Sequence, residues 1–422
     1  MDESLVCIKQ KIPVPILASV DDSIRDAIKK AGISFEDIVG CKVGITAGSR
    51  GISSYLEVLR TLVVMIKEAG GFPIIIPAMG SHGGGTSAGQ IEVLAGLGIT
   101  EESLGASICR DNETILLSET AQGIPVYCNA QAAKVDKLVV VNRIKPHTDF
   151  TGEIESGICK MLAIGLGSSR GAVTVHSHAL VNGYEQVITD VAGVMINTLP
   201  IFFAVAIAEN WKGQTKKIEI LLPDEIILKE KGLLSEIKSE MIKLPFKSVD
   251  VLVIGEIGKD ISGTGMDTKV VGRIMVRGQM EPDFPKIKRI VVLNLSSKSH
   301  GNAIGIGLAD ITTEKVFKAI NIRETSLNAI SSMSPEQGRL PCIVANDREA
   351  IESALLTLGA VKKEGARIVY IKNTLNLETL AVSESMLEEV RLNPYLEVIG
   401  RPSPITFNEE GELIDPFISQ GD

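Results

Sequence analysis

The sequence lacks the features that mark several broad classes of protein. Acidic residues outnumber basic ones and give a formal net charge of −9, so no overall basic surface faces a nucleic-acid backbone. No stretch approaches the run of about 20 apolar residues that spans a bilayer. The N-terminal sequence MDESLVCIKQK carries charges where a signal peptide needs an apolar core. We therefore expect a cytoplasmic protein with neither nucleic acid nor membrane as a partner.

Cysteine and aromatic residues are also scarce. The six cysteines are scattered without a Cys-x-x-Cys pair, which argues against a zinc knuckle, an iron–sulfur cluster or a disulfide scaffold. Aromatic residues make up 4% of the 422 residues and hydrophobic residues 45%, a balance typical of a globular enzyme. A chain of this length predicts two domains.

What the sequence does contain is an alternation of short β-branched runs and amphipathic segments, which predicts an α/β fold. We expect two α/β domains with mostly parallel sheets. Residues 1–246 would form an N-terminal domain for catalysis and cofactor binding, and residues 247–422 a C-terminal domain that closes over the substrate. Ligands of such folds bind beyond the carboxyl ends of the strands, so the active site is expected in the interdomain cleft.

The pattern of apolar residues predicts individual elements. Predicted strands cover 42–46, 73–77, 137–142, 202–207, 250–254, 289–295 and 366–371. Predicted helices run from a serine cap at 53 or 54 to about 70, and over 184–199, 225–244, 313–322 and 347–358, the last capped by Asp347.

All five histidines lie in glycine- or proline-punctuated segments, and none lies in an apolar run. They are His82, His147, His176, His178 and His300. We therefore place each at the end of a strand, where imidazole can transfer protons near neutral pH or bind a metal. If the segment His176-Ser177-His178 is extended, both rings share one face. One functional ring beside a structural neighbour is then the favoured interpretation.

Dense charge mixed with proline and glycine follows the strand predicted at 137–142. The segment ends at Lys160, which falls among small and apolar residues. This lysine is either buried with a shifted pKa, used as a nucleophile, or extended towards water. Glycine-rich loops at 80–85 and 165–171 are candidates for holding a phosphate through backbone N–H groups. Neither loop matches a Walker or Rossmann pattern.

The order of these motifs resembles the nickel-dependent lactate racemase family, most clearly over residues 42–180. His82 and His147 match the two catalytic histidines of that family. Lys160 matches the lysine that tethers the cofactor, and His176 matches a histidine that ligates nickel. The resemblance implies a nickel pincer nucleotide, the mononucleotide of pyridinium-3-thioamide-5-thiocarboxylic acid that holds nickel through two sulfurs and a ring carbon. It also implies cofactor maturation proteins as partners.

The activity that the resemblance implies is racemisation or epimerisation of a 2-hydroxy acid. One histidine removes the hydroxyl proton while the Cα hydrogen leaves as a hydride to the cofactor. The hydride then returns to the other face of the planar keto acid. Two opposed histidines are needed because each enantiomer presents its hydroxyl from a different side.

Further matched positions complete the implied site. The Asp-x-Thr-Arg turn of the family corresponds to residues 47–50, so Ser49, together with Gly83, is assigned to the cofactor. Arg50 is assigned to the substrate carboxylate, since arginine grips a carboxylate through two hydrogen bonds. The remaining substrate-binding candidates are Lys145, Lys259 and Asp260.

Three departures from the family pattern point to a substrate larger than lactate or differently charged. Ala47 stands where the family has aspartate. The charged Glu153-Ile154-Glu155 precedes Lys160 where a glycine-rich sequence is expected. The loop 258–267 offers Lys259 and Asp260 where the family brings glutamine and lysine to the substrate.

Two other functions fit the same residues. The histidines around an ordinary divalent ion would make a metal-dependent lyase or hydrolase. The chain is alternatively a non-catalytic carrier of the nucleotide cofactor, which would not need both His82 and His147. Lys160 discriminates between the enzymes, because only the pincer cofactor requires a covalently attached lysine. The sequence leaves open whether the chain forms a homodimer.

Overall fold

The chain forms two compact units in a computed structural model that describes residues 3–277, 279–359 and 365–417. The N-terminal unit comprises Val14–His147 and Thr151–Met241. The C-terminal unit comprises Met1–Pro13, Thr148–Phe150 and Ile242–Asp422. Each unit has a mixed sheet with helices, and the sheet of the N-terminal unit is mostly parallel, which confirms the predicted α/β fold class.

The strands are short and mostly buried. They are β1 (Ser4–Gln10), β2 (Lys42–Ala47), β3 (Phe72–Pro77), β4 (Ser107–Ile108), β5 (Thr114–Glu119), β6 (Pro125–Asn129), β7 (Lys137–Ile144), β8 (Ile201–Glu209), β9 (Thr215–Leu221), β10 (Ser248–Ile254), β11 (Lys286–Val292), β12 (Ile311–Thr313), β13 (Cys342–Val344), β14 (Ile368–Ile371), β15 (Thr379–Ser383), β16 (Leu396–Val398) and β17 (Ser403–Pro404).

The helices vary from single turns to fifteen residues. They are α1 (Val20–Lys30), α2 (Tyr55–Glu68), α3 (Ser87–Gly96), α4 (Glu101–Leu104), α5 (Ala130–Lys134), α6 (Ile158–Lys160), α7 (Ser168–Asn182), α8 (Tyr184–Thr198), α9 (Ile226–Glu240), α10 (Thr268–Val271), α11 (Glu314–Ala319), α12 (Ile322–Ser331), α13 (Asp347–Leu356) and α14 (Leu387–Leu392). Within the described part of the chain, no helix is long and apolar enough to cross a membrane.

The sheet of the N-terminal unit has the order β4-β3-β2-β7-β8-β9. All its pairs are parallel except β8 with β9. Its central strands are continuous apolar runs such as Val139–Val141, which is fully buried. Such runs are expected where helices cover both faces of a parallel sheet. Strands β5 and β6 form a separate antiparallel pair.

The sheet of the C-terminal unit has the order β13-β12-β11-β10-β14-β15-β1-β16, with β17 also paired to β1. The pairs from β13 to β14 are parallel, and those beyond β14 are antiparallel. Strand β1 comes from the start of the chain and pairs with β15, which lies more than 350 residues later. No sequence pattern indicated that pairing.

Most predicted elements are present with ends shifted by a few residues, but the helix predicted over 313–322 was wrong. The structure has two helices there, α11 and α12. The Asn321 side chain accepts the Glu324 N–H and caps the second helix, which starts a new helix where one continuous helix was expected. The cap predicted at Asp347 belongs to its neighbour Asn346.

The glycine-rich loop predicted at 165–171 was also wrong, because this segment is helical. A π-helix covers Met161–Leu166 and continues directly from α6, and α7 begins at Ser168. Gly165 and Gly167 are needed for close packing rather than for a turn. A Cβ on Gly165 would lie 2.8 Å from the Ala78 carbonyl oxygen, and one on Gly167 would lie 2.6 Å from the Ala163 carbonyl oxygen.

Candidate active site

Three neighbouring strands deliver candidate residues to one edge of the N-terminal sheet. The strands β3, β2 and β7 are adjacent and parallel, so their carboxyl ends lie side by side. The His82 loop follows β3, the turn with Arg50 follows β2, and the segment with His147 follows β7. The expectation that these residues follow strand ends is therefore confirmed.

The His82 loop is held by glycines. His82 itself is exposed, and its N–H donates to the Met79 carbonyl at 3.1 Å. Gly83 has a φ of +64°, and a Cβ there would lie 2.5 Å from the Gly89 carbonyl carbon. Gly83 therefore allows close approach of the loop to the first turns of α3. Its assignment to the cofactor stays a prediction.

The same loop packs against the segment that joins Lys160 to His176. The Gly80 N–H donates to the Gly165 carbonyl at 3.1 Å, and a Cβ on Gly85 would collide with the Ser169 hydroxyl. The fold thus brings the loop of one candidate catalytic histidine against the helix that carries the candidate nickel ligand.

The segment that carries His147 is held by a buried carboxylate. Glu155 is fully buried and accepts the backbone N–H groups of His147 and Gly152, the latter at 2.9 Å. The Lys238 ammonium on α9 lies 2.6 Å from Glu155 and also donates to the Gly152 carbonyl at 2.6 Å. Backbone hydrogen bonds between Lys145 and Ser156, of 2.8 and 3.2 Å, close the segment. Lys145 itself is exposed.

Lys160 ends the short helix α6 and is half-buried. The turn before it is held by Glu230, a fully buried residue of α9 whose carboxylate accepts the Cys159 N–H at 2.8 Å. On the other side, the Asn142 amide donates to the Gly157 carbonyl at 2.7 Å. Burial raises the pKa of Glu230 to about 7 and raises that of the Cys159 thiol well above its usual value.

The predicted strand-end position of His176 and His178 was wrong, since both lie within α7. Residues two apart point about 200° apart around a helix, so the two rings do not share a face. The helix forms because Gly171, Ala172, Val175 and Ala179 make a buried stripe at helical spacing. The serine and histidines obscured that stripe in the sequence.

His176 is half-buried and is oriented by Tyr184, a buried residue that begins α8. The Tyr184 hydroxyl lies 3.3 Å from His176 Nδ1, and the two rings meet edge to face with centroids 5.7 Å apart. Burial, together with the positive charge of Lys160, lowers the pKa of His176 to about 4. The ring is therefore neutral near pH 7. Its Nδ1 atom faces Tyr184, Nε2 is the other ring nitrogen, and the charged group near the ring is the Lys160 ammonium.

Arg50 follows β2 and lies beside a second arginine. Although Arg50 is exposed overall, partial desolvation and the positive charge of Arg143 lower its pKa. Arg143 pairs with Glu209, which also accepts the Ser53 N–H at 2.7 Å. No acidic side chain among the described residues pairs with Arg50. An arginine with this environment is suited to an anionic ligand.

The turn that carries Arg50 is held by a hydrogen bond to Tyr55 of α2. The Gly48 N–H donates to the hydroxyl of buried Tyr55 at 2.7 Å. Ser49 is half-buried, and Ala47 at the end of β2 is fully buried. The assignment of Ser49 to the cofactor stays a prediction.

Lys259 and Asp260 belong to the C-terminal unit and are exposed on the loop after β10. The Lys259 N–H donates to the Ser299 hydroxyl at 2.8 Å, and its ammonium donates to the Gly263 carbonyl at 2.7 Å. Ser299 also approaches Asp260 at 3.4 Å, and His300 follows with a φ of +49°. Hydrogen bonds therefore connect the loops that follow β10 and β11. The role of Lys259 and Asp260 in substrate binding stays a prediction.

Sequence reasoning missed Glu155, Glu230 and Tyr184. A signal for Glu230 was present, because it interrupts the apolar stripe of α9 that includes Ile226 and Leu233. Glu155 and Tyr184 act through contacts with other segments, which no local spacing indicates. Across the described residues, no three histidine, cysteine or acidic side chains gather closely enough to hold a metal ion.

Comparison with known proteins adds a description that is independent of this geometry. Residues 45–187 match the family model of the lactate racemase N-terminal domain, a segment that includes His82, His147, Lys160 and His176. The fold is similar to that of lactate racemase apoprotein from Thermoanaerobacterium thermosaccharolyticum, with a TM-score of 0.52 and 11% sequence identity. That similarity covers 88% of this chain and 99% of the other. No curated protein matches the chain.

Proposed function

We propose that the chain is a racemase or epimerase of a 2-hydroxy acid in the lactate racemase-like family. The match of residues 45–187 to the lactate racemase N-terminal domain supports an isomerase. The proposed cofactor is a nickel pincer nucleotide tethered through Lys160, and the proposed partners are a small hydroxy acid and the proteins that mature the cofactor. One observation carries the proposal: the strand that precedes Arg50 lies between the two strands that precede His82 and His147.

The strand order β3-β2-β7 suits a reaction that needs two opposed bases. A carboxylate held at Arg50 has a histidine-bearing loop on either side, after β3 and after β7. In our proposal, His82 accepts the hydroxyl proton of one enantiomer and His147 that of the other. Each returns the proton when the reaction runs in reverse.

The residues around Lys160 fit the implied cofactor. If this cofactor is bound, neutral His176 would supply the one protein nitrogen that its nickel needs besides the donors of the cofactor. Lys160 is near enough for its charge to lower the pKa of that histidine, so the proposed tether, Lys160, and the proposed ligand, His176, lie close together. When bound, this cofactor supplies an acceptor and donor for the Cα hydrogen as hydride. Arg50 and the two histidines bind the acid and move its hydroxyl proton.

The substrate is proposed to be larger than lactate or differently charged. Ala47 is buried at the end of β2, where the family has an aspartate, so that acidic group is lost. Exposed Lys145 adds a positive charge after β7. The loss of the acidic group and the positive charge of Lys145 both favour an acid with a second anionic or polar group.

The decisive experiment is intact mass spectrometry with metal analysis on protein from a host that makes the cofactor. We expect a covalent adduct on Lys160 with stoichiometric nickel. Lys160→Ala should abolish the adduct, while Lys145→Ala should keep it. A bound divalent ion without an adduct would favour the alternative, a metal-dependent lyase or hydrolase.

An isotope experiment tests the reaction itself. With a 2-hydroxy acid deuterated at Cα, hydride transfer should retain the deuterium as the enantiomers interconvert. Chiral chromatography with mass detection measures both outcomes. Loss of the label to water at the rate of racemisation would instead indicate removal of the Cα hydrogen as a proton and would refute the proposed mechanism.

Nickel retention separates the two histidines of α7. His176→Ala should lose nickel, because this ring neighbours Lys160 and is oriented by Tyr184. His178→Ala should keep most of the metal, since its ring points to another side of the helix. Nickel per protein chain is the measurement, and the opposite result would reassign the ligand to His178.

A further inference from the structure

Glu230 occupies a position where a carboxylate is unfavourable. It lies in the buried stripe of α9 with Ile226, Leu233, Leu234 and Ile237, and it is fully buried. Its Oε1 atom has no hydrogen-bond partner among the described residues, whereas Glu155 forms an ion pair with Lys238. Burying a carboxylate in this way costs free energy. Stability of the fold therefore does not explain the residue.

The Glu230 carboxylate accepts a backbone hydrogen bond from the turn that leads to Lys160. The short helix α6 begins at Ile158, and its N-cap residue Gly157 has no side chain to satisfy the first N–H groups. The Glu230 carboxylate accepts the Cys159 N–H at 2.8 Å and so caps this helix from α9.

The residues around Cys159 leave room for its contact with Glu230. A Cβ on Gly157 would collide with the Glu230 carboxylate, so glycine is required for the carboxylate to reach the turn. Asn142 holds the Gly157 carbonyl from the opposite side at 2.7 Å. The π-helix that follows Lys160 is a rare form that occurs frequently at functional sites.

From these contacts we infer that Glu230 is a positioning residue for Lys160. By fixing the Cys159 N–H, it sets the direction in which the next residue leaves the helix, beside His176. The inference rests on the proposed function in that Lys160 is the cofactor tether. The placement of the amine, however, is measurable without cofactor.

The test compares Glu230→Leu, which removes the acceptor, with Glu230→Gln, which keeps an oxygen for the Cys159 N–H. Full-length, cofactor-free protein is treated with an amine-acylating reagent, and peptide mass spectrometry gives the rate at Lys160 relative to exposed Lys298. We expect Glu230→Leu to raise the rate at Lys160 by roughly tenfold, because a turn without its acceptor opens more often and exposes the half-buried amine. Glu230→Gln should stay within about twofold of the parent protein, because its amide oxygen still accepts the Cys159 N–H.

Glu236→Leu is the matched control, because Glu236 lies on the same helix but pairs with Lys217 near the surface. It should leave the rate at Lys160 unchanged. If Glu230→Leu fails to fold by circular dichroism, Gly157→Ala displaces the carboxylate without removing it and should raise the rate in the same way. Equal rates at Lys160 in the parent and the folded acceptor-free variant would overturn the inference.

Loading in a cofactor-making host separates this inference from the proposed function. Glu230→Leu should carry less adduct on Lys160, and Glu230→Gln should restore it. Absence of any adduct in the parent protein would refute the proposed function. The acylation rates would still decide whether Glu230 positions the amine.

Discussion

His82 and His147 follow strands on either side of β2, yet the protein holds their segments by different means. The His82 loop takes its shape from glycines with positive φ and from close backbone contact with α3 and Gly165. The His147 segment takes its shape from Glu155, a buried carboxylate that binds two backbone N–H groups and Lys238. The His82 loop thus depends on glycines, which have no side chain, and the His147 segment depends on a buried charge.

Two segments at equivalent positions in the sheet can therefore differ in their sensitivity to an added side-chain atom and to loss of charge. Backbone packing tolerates no added Cβ where two backbones touch. A segment held by a buried carboxylate responds strongly to loss of that charge. Substitutions in the two regions should therefore differ in the property that they change.

The largest expected effect is on catalysis and is equal in the two regions. His82→Ala and His147→Ala should each lower the racemisation rate by about 10²–10⁴-fold, because each removes a general base. Nickel content should stay at the parent level, since neither ring is the proposed ligand. Rates from both enantiomers, with nickel per chain, provide the measurement. A variant that loses nickel together with activity would show that its histidine serves the cofactor instead.

Loss of the buried charge in the His147 segment should have the largest effect on stability. Glu155→Ala leaves Lys238 and two backbone N–H groups without their acceptor and should lower the free energy of unfolding by about 3–5 kcal/mol. The control Glu153→Ala breaks an exposed ion pair with Lys231 and should cost less than about 1 kcal/mol. Denaturant titration measures both, and similar losses would mean that burial of Glu155 is not decisive.

The turn before Lys160, which Glu230 holds, should depend on pH, unlike the glycine-held His82 loop. Burial raises the pKa of Glu230 from 4.5 to about 7, so the folded state binds more protons than the unfolded state between these values. The stability contributed by this residue is thus fully present below about pH 4.5 and is lost as the pH rises through 7. Glu230→Gln cannot titrate and should remove roughly 3 kcal/mol of this decline. Parallel stability curves from pH 4.5 to 8 for the two proteins would contradict the assignment.

The smallest effect is expected for the glycine-held loop. Gly83→Ala should cost roughly 2–3 kcal/mol, because the new Cβ meets the Gly89 backbone in addition to the strain of positive φ. Gly84 also has positive φ, but nothing lies within 4 Å of a Cβ there, so Gly84→Ala should cost only about 1 kcal/mol. Thermal unfolding of both variants checks the difference. Equal costs would show that the loop is not pressed against α3.

Local pattern predicted much of the fold and part of the site. Strands β2, β3 and β7 are short apolar runs, and the polar residues after them mark their carboxyl ends, so His82, Arg50 and His147 were placed correctly. The helix that carries His176 was missed, because its buried face consists mainly of small residues, which give little hydrophobic signal. A stripe of glycine and alanine gives little hydrophobic signal, although it packs well.

Short-range periodicity and composition are enough to specify the α/β class, the order of the motifs along the chain and the residue types available for proton transfer. Which distant groups support those residues depends on the packing of the folded chain. Glu155 meets Lys238, Glu230 meets Cys159, and Tyr184 meets His176 through the packing of separate elements. Such contacts depend on how helices and strands pack in three dimensions, and no spacing along the chain encodes them.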